Sequence, residues 1–203
     1  MIKDIPSEFA EVLDKDEKIL WTGNPKFIPF LATGIPFLTI GILWFCFDYF
    51  GFIKNMKAGD AGFSVPFFIL HLFPFWGSIL NMLRLVLVYN NTFYTYTNRR
   101  IMMRSGFWGN NFMAIDYDKI SDIEVTVNPV ERVFNVGTVK AFSGRLSDKG
   151  ARLYDSFIAI ENPYEVFKMI KQTSVDVKTD YDYPNALRPD SNPGYKTDYK
   201  PQE

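Results

Sequence analysis

Residues able to do chemistry are few in this chain. A single histidine, His71, and a single cysteine, Cys46, stand among 203 residues. That excludes zinc or iron held by several imidazoles or thiolates, and it excludes an intramolecular disulfide. There is no Gly-x-Ser-x-Gly elbow, no Walker loop, no dinucleotide fingerprint and no His-Glu helix motif. Asp116, Asp118 and Asp122 lie close in sequence, but strand and turn spacing sends them in different directions, so they read as a solvated face. Gly106-Phe107-Trp108-Gly109 is a turn with aromatics, not a phosphate cradle. No catalytic, cofactor-binding or metal-binding residue is expected, and the chain reads as a non-enzyme.

Three groups of candidates remain. His71 lies inside a charge-free run, where an ionisable side chain is a functional hypothesis by default. A proton relay needs partners, and the neighbouring run offers only Thr33, Thr39 and the terminal Asp48. The favoured expectation is a neutral imidazole hydrogen-bonded to the adjacent helix. Arg84, near the end of the same run, is placed to snorkel toward headgroups. Asn98-Arg99-Arg100 with Arg104 forms the second group. Each cation near an anionic bilayer is worth about 1 kcal/mol, so these arginines are candidate headgroup-binding residues. The alternative is that they cap a hairpin and pair with Asp116 or Glu124. The third group is the pair Tyr181 and Tyr199, within Lys178-Thr179-Asp180-Tyr181 and its copy Lys196-Thr197-Asp198-Tyr199, candidate anchors of a repeated docking motif.

The elements that must position these residues begin with two charge-free runs, Phe27 to Phe47 and Phe63 to Leu83. A helix rising about 1.5 Å per residue needs roughly 20 apolar residues to cross a bilayer core. Both runs are long enough, so a transmembrane hairpin is expected, with spans 27–48 and 63–88. Near the ends, Lys15, Lys18, Lys26, Arg84, Arg99, Arg100 and Arg104 stand against Lys54 and Lys57 in the loop, seven basic residues against two. The expected protein is an integral two-pass membrane protein with both termini cytoplasmic. Lys+Arg 22 against Asp+Glu 23 leaves no basic footprint for nucleic acid.

Past Tyr89 the pattern turns to short β-branched and aromatic runs separated by breakers. The runs are Thr92–Thr97, Ile101–Ser105, Phe112–Asp116, Ile120–Asn128, Thr138–Ser143 and Ser156–Ile160. The breakers include Asn128-Pro129 and Gly144 to Gly150. They predict an antiparallel sheet curled into a small barrel or sandwich over 89–172. Lys18–Thr22 reads as one more strand and Pro6–Leu13 as a short helix. A closing helix starts at Asn162-Pro163 with Glu165 at capping-box spacing, and Tyr164, Phe167 and Ile170, with Val166 beside them, form its apolar face.

Several motifs in this order resemble those of bacterial membrane proteins with a pleckstrin-homology-like (PH-like) domain. They are Asp16 to Pro25 (DEKILWTGNP), Tyr96-Thr97-Asn98-Arg99-Arg100-Ile101, Ile115 through Val125, Val136-Gly137-Thr138-Val139, and Phe157 to Ile170. The resemblance covers roughly Asp16 to Lys171. It implies an α+β protein, with seven strands in a sheet pair capped by one C-terminal helix. It implies almost nothing about activity.

From Thr173 to Glu203 the chain has six acidic and four basic residues, four prolines and almost no large aliphatics. Disorder is expected there, and truncation at Thr173 is expected to leave stability unchanged. The expected function is a non-enzymatic interaction or scaffold module at the cytoplasmic membrane face. Its partners are membrane lipids and an unknown protein or a second copy. A small transport or permeation subunit using His71 is the alternative.

Overall fold

The computed structural model describes residues 7–56 and 61–182, with side chains over 7–56 and 65–179. The chain forms two compact units. One is Phe27–Asn90, and the other joins the chain before Phe27 to the chain after Asn90.

The second unit holds seven strands. A four-stranded sheet runs in the order β1 (Ile19–Gly23), β2 (Phe93–Thr97), β3 (Arg100–Ser105), β4 (Asn111–Asp116). A three-stranded sheet follows as β5 (Asp122–Thr126), β6 (Val136–Leu146), β7 (Arg152–Glu161). Every pairing is antiparallel. β1 pairs with β2 although the whole of Phe27–Asn90 separates them in sequence. Period-2 alternation gives β2 and β3 two different faces. Tyr94, Tyr96, Ile101 and Met103 join the main core, whereas Phe93 and Met102 pack with Phe9 of α1 (Ser7–Glu11). The two sheets meet at a stack of rings. Trp21 lies 5.8 Å from Tyr96 and 5.9 Å from Phe157, and Tyr94 lies 4.9 Å from Phe157.

The expected barrel does not close, because β4 and β5 sit at the edges of separate sheets. Gly144 does not break β6. It takes a left-handed φ of 81° inside the strand, beside a register shift, and pairing resumes at Leu146. Asn128-Pro129 likewise does more than break. It opens α6 (Pro129–Val133) with a full capping box, in which Glu131 N–H donates to the Asn128 side chain at 2.9 Å and Asn128 N–H donates to Glu131 Oε2 at 2.9 Å. The same Asn-Pro-x-Glu pattern at Asn162 behaves differently. Asn162 has a φ of 49°, and its carbonyl accepts from Glu165 and Val166 to begin α7 (Pro163–Asp182).

α7 runs ten residues into the stretch expected to be disordered, from Thr173 to Asp182. Its core face is Val166, Ile170, Ser174 and Val177, at helical spacing. Ser174 and Asp176 are buried, and Gln172 donates to Asp176 Oδ1 at 2.9 Å. The few apolar residues past Thr173 were enough because they fall on the face already fixed by Val166 and Ile170. Tyr164, assigned to that face by sequence, is largely exposed.

In the first unit both expected spans are interrupted. α2 (Phe27–Ala32) stops before α3 (Ile35–Gly51), and Thr33 Oγ1 in the break donates back to Phe30 O of α2 at 2.7 Å. α4 (Ala61–His71) and α5 (Phe73–Asn90) meet at a 52° bend beside Pro74, which has no N–H to continue the ladder. One helix, Ile35–Asn55, is long and apolar enough to cross a membrane, and the bent pair is a second candidate if it acts as one span. α3 packs antiparallel on its neighbours in a regular series. Gly34 meets Met82 and Leu85, Gly41 meets Ser78, Phe45 stacks on Phe75 at 4.7 Å, and Phe52 lies 6.3 Å from Phe68.

Gly41 is the tightest point of that series. A Cβ there would stand 2.2 Å from Ser78 Oγ and 2.9 Å from Pro74 O, whereas Gly51 has nothing within 4 Å. Gly41→Ala is expected to destabilise the helix pairing by about 1–3 kcal/mol, and Gly51→Ala to be neutral. Thermal unfolding of the full chain in detergent compares the two. By the same assay, truncation at Thr173 is expected to lower the melting temperature, because it removes the half of α7 that carries Ser174, Asp176 and Val177.

Candidate functional site

The outer face of the four-stranded sheet is covered by the segment ahead of β1. Phe9 is buried against Phe93 and Met102, with Leu13 and Ile19 beside them, and its ring lies 5.5 Å from Phe112. Polar contacts continue the cover. Glu17, its side chain fully buried, takes Arg100 Nη2 at 2.6 Å and the Asp14 N–H at 2.9 Å on Oε2. Its Oε1 takes Arg100 Nε at 3.0 Å and the Thr97 hydroxyl at 2.7 Å. Burial alone would push the Glu17 carboxyl up. Arg100, the Asp14 N–H and Thr97 outweigh it and hold the group below its ordinary value. Arg100 is pushed up, first by its hydrogen bonds to Glu17.

Thr97 is the hub of the Thr-Asn-Arg hairpin. Its Oγ1 accepts from the N–H groups of Arg99 and Arg100, each at 3.0 Å, while its own hydroxyl serves Glu17. Asn98 then ties the turn to the lead-in strand. Lys18 N–H donates to Asn98 Oδ1 at 2.8 Å, and Asn98 N–H donates to Lys18 O at 3.1 Å. Below the turn, the Tyr117 hydroxyl donates to Thr97 O at 2.8 Å. Burial pushes the Tyr117 phenol well up, so it stays a donor.

The three candidate arginines therefore do not make one patch. Arg99 and Arg100 sit at the β2–β3 turn, while Arg104 lies at the other end of β3, opposite Phe93. Arg104 pairs with Glu8 at 3.0 Å over the Phe93 ring, Arg100 reaches Asp14 at 3.2 Å, and Arg99 reaches Asp14 at 3.9 Å. Asp116 stands opposite Arg100 in the strand register and acts on it only through its field, whereas Glu124 pairs with Lys140 at 3.1 Å. The acids that hold the arginines, Glu8, Asp14 and Glu17, are remote in sequence. The available signal was the alternation of Arg100, Met102 and Arg104 on one face of β3, which calls for a cover with matching acids.

Two surface features stand out on this unit. The chain leaves the sheet after Gly23 and returns at Phe93, and register puts the β3–β4 turn at that end. On the turn, Trp108 is 91% exposed and Phe107 is 5.5 Å from it. Asn91 Nδ2 fixes the turn by donating to Gly106 O at 3.2 Å. Separately, a cleft of about 530 Å³ lies where α6 meets the start of α7, with Arg132, Asn135, Tyr164 and Glu165 on its walls. Its charges are of both signs.

In the first unit His71 lies at the last residue of α4, its Nε2 3.4 Å from Asp48 Oδ1. Arg84 is exposed on α5. Cys46 is half-buried beside Phe45. Of the docking tyrosines, Tyr181 falls in the last turn of α7 and Tyr199 lies outside the described residues. No group of three or more His, Cys, Asp or Glu able to hold a metal occurs among the described residues.

The family description "Bacterial PH domain" matches residues 30–172, which takes in the apolar unit from Phe30 onward, β2 through β7 and the first half of α7. The chain belongs to the bacterial PH domain family. The match starts beyond β1, so the segment carrying Phe9 and Glu17 lies outside it. The chain is also similar to a DUF1696 family protein with a pleckstrin-homology domain from Shewanella loihica PV-4, solved at 2.00 Å. The identity is 14% and the TM-score 0.31, over 41% of this chain and 71% of that one. No curated protein matches. Membership in the PH family points to a non-enzymatic interaction module.

Because Glu17 titrates lower in the fold than its ordinary 4.5, it binds fewer protons folded than unfolded near that pH. Its stabilising contribution is present above that range and is lost as pH falls through the folded value. Glu17→Gln is expected to flatten the acid limb of the stability curve, followed by denaturant unfolding between about pH 3 and 7. Arg100→Ala, which strands Glu17 without its counter-charge, is expected to cost about 3–5 kcal/mol at neutral pH.

Proposed function

We propose that this PH-family protein is a membrane-anchored, non-enzymatic interaction module, held by a hairpin of α3 and the bent α4–α5 pair. The observation that carries the reading is the surface of the apolar unit. Leu43, Phe47, Leu70 and Phe73 are largely exposed, and neither charge-free run holds a Lys, Arg, Asp or Glu. Such a surface needs lipid or another apolar partner to cover it. The seven-to-two excess of basic residues outside the loop supports a two-pass topology with both termini cytoplasmic. The PH-like domain then presents its surface to another protein or a second copy.

The lipid contact of the domain belongs to Phe107 and Trp108 rather than to the arginines. Arg99, Arg100 and Arg104 already face Asp14, Glu17 and Glu8. The aromatic turn is uncharged and stands at the sheet end where the chain departs for the apolar unit and returns from it. Tryptophan favours the bilayer interface, where its ring is half in hydrocarbon and its N–H is wet.

The full chain is expected to resist alkaline extraction from membranes. A reporter fused after Glu203 is expected to be active in the cytoplasm and one inserted at Gly59 outside it. Extraction at high pH overturns the anchor, and an external Glu203 reporter overturns the orientation. With fluorotryptophan in the full chain in nanodiscs, the resonance missing from Trp108→Phe is expected to broaden with headgroup spin-labelled lipid. A sharp Trp108 resonance overturns the lipid contact.

A further inference from the structure

The carboxylate of Asp48 is anomalous. Its side chain is 0% exposed, and neither oxygen has a hydrogen-bond donor. A lone ionised carboxylate in an apolar interior is among the most costly buried groups. The contact it does have is with His71, whose Nε2 lies 3.4 Å from Oδ1, within ion-pair reach.

The break between α4 and α5 delivers His71 to this place. Phe75 N–H bonds to Leu72 O at 3.0 Å, so the His71 carbonyl is released from the α-helical ladder. That carbonyl accepts from Trp44 Nε1 at 3.2 Å. Trp44 and Asp48 are one turn apart on α3, so a single face of α3 receives both the backbone and the ring of His71. Phe67 stacks on the imidazole at 5.1 Å and 15°, a geometry favourable to a cationic ring.

We infer that Asp48 and His71 form an ion pair that binds one proton inside the apolar unit and fastens the α4–α5 break to α3. With one proton the pair is net neutral. Without the imidazolium the fully buried carboxylate would stand unpaired. The other titratable groups of the described unit are Cys46 and Tyr49 on α3, Lys54 in the turn after it, Arg84 on α5 and Tyr89 near the end of α5. None of them makes an ion pair or hydrogen bond with Asp48 or His71. Lys57 and Asp60 lie outside the described residues. The inference stands within one unit and does not depend on which surface of the PH domain binds a partner.

Because His71 is the sole histidine, ¹⁵N-histidine labelling of the full chain in nanodiscs reports it without ambiguity. At neutral pH the wild-type ring is expected to show both nitrogens protonated, the signature of the paired imidazolium. Asp48→Asn is expected to leave a neutral ring with one protonated nitrogen under the same conditions. A neutral wild-type ring at neutral pH, or the same ring protonation in the two proteins, overturns the pair. Should Asp48→Asn fail to fold, the wild-type spectrum decides alone.

Discussion

A buried carboxylate satisfied on every side governs the PH-like unit. Glu17 receives two donors from Arg100, one from Thr97 and one from the Asp14 backbone. Leaving any of these unmade would expose the desolvation cost of the carboxylate, so the lead-in segment, the β2–β3 turn and β1 assemble together. Thr97 makes the link in both directions, accepting from the turn and donating to Glu17. The basic turn is therefore a structural joint, and its charge is spent inside the protein.

That joint matters because of where the apolar unit is inserted. β1 and β2 are neighbours in the sheet but are separated in sequence by Phe27–Asn90. Pairing strands so distant carries a loop-closure cost that local turns do not. The Asn98–Lys18 contacts, the Glu17 cluster and the Trp21 ring stack offset it by fastening β1 from its start, its flank and its inner face. Beyond β1, Lys26 continues the attachment. Its N–H donates to Ala159 O at 2.8 Å, and its ammonium meets Glu161 at 2.5 Å.

The apolar unit follows a different logic. Its contacts are glycine against serine, ring against ring and one ionisable pair, set in register along α3. Small residues permit the close approach of these helices. The bend at Pro74 is part of that packing, since it frees the backbone carbonyl that Trp44 uses.

Much of this was legible in the sequence. Seven β-rich runs, two charge-free runs and a closing helix follow from periodicity, because a half-buried strand and a long apolar helix impose their spacing locally. The order of the motifs identified the bacterial PH family. Breaks inside the apolar runs were less legible, since Pro36, Pro66 and Pro74 look alike in sequence while the described bend falls beside Pro74. The partners of the arginines were not legible. Arg100 has Asp116 opposite it in register, yet its guanidinium goes to Glu17, more than eighty residues upstream. Long-range pairing of charges depends on which face each strand presents and on what covers that face. The meeting of Asp48 with His71 is of the same kind. Sequence places a histidine in one apolar run and an aspartate at the end of the other; only the antiparallel register of packed helices brings them to 3.4 Å.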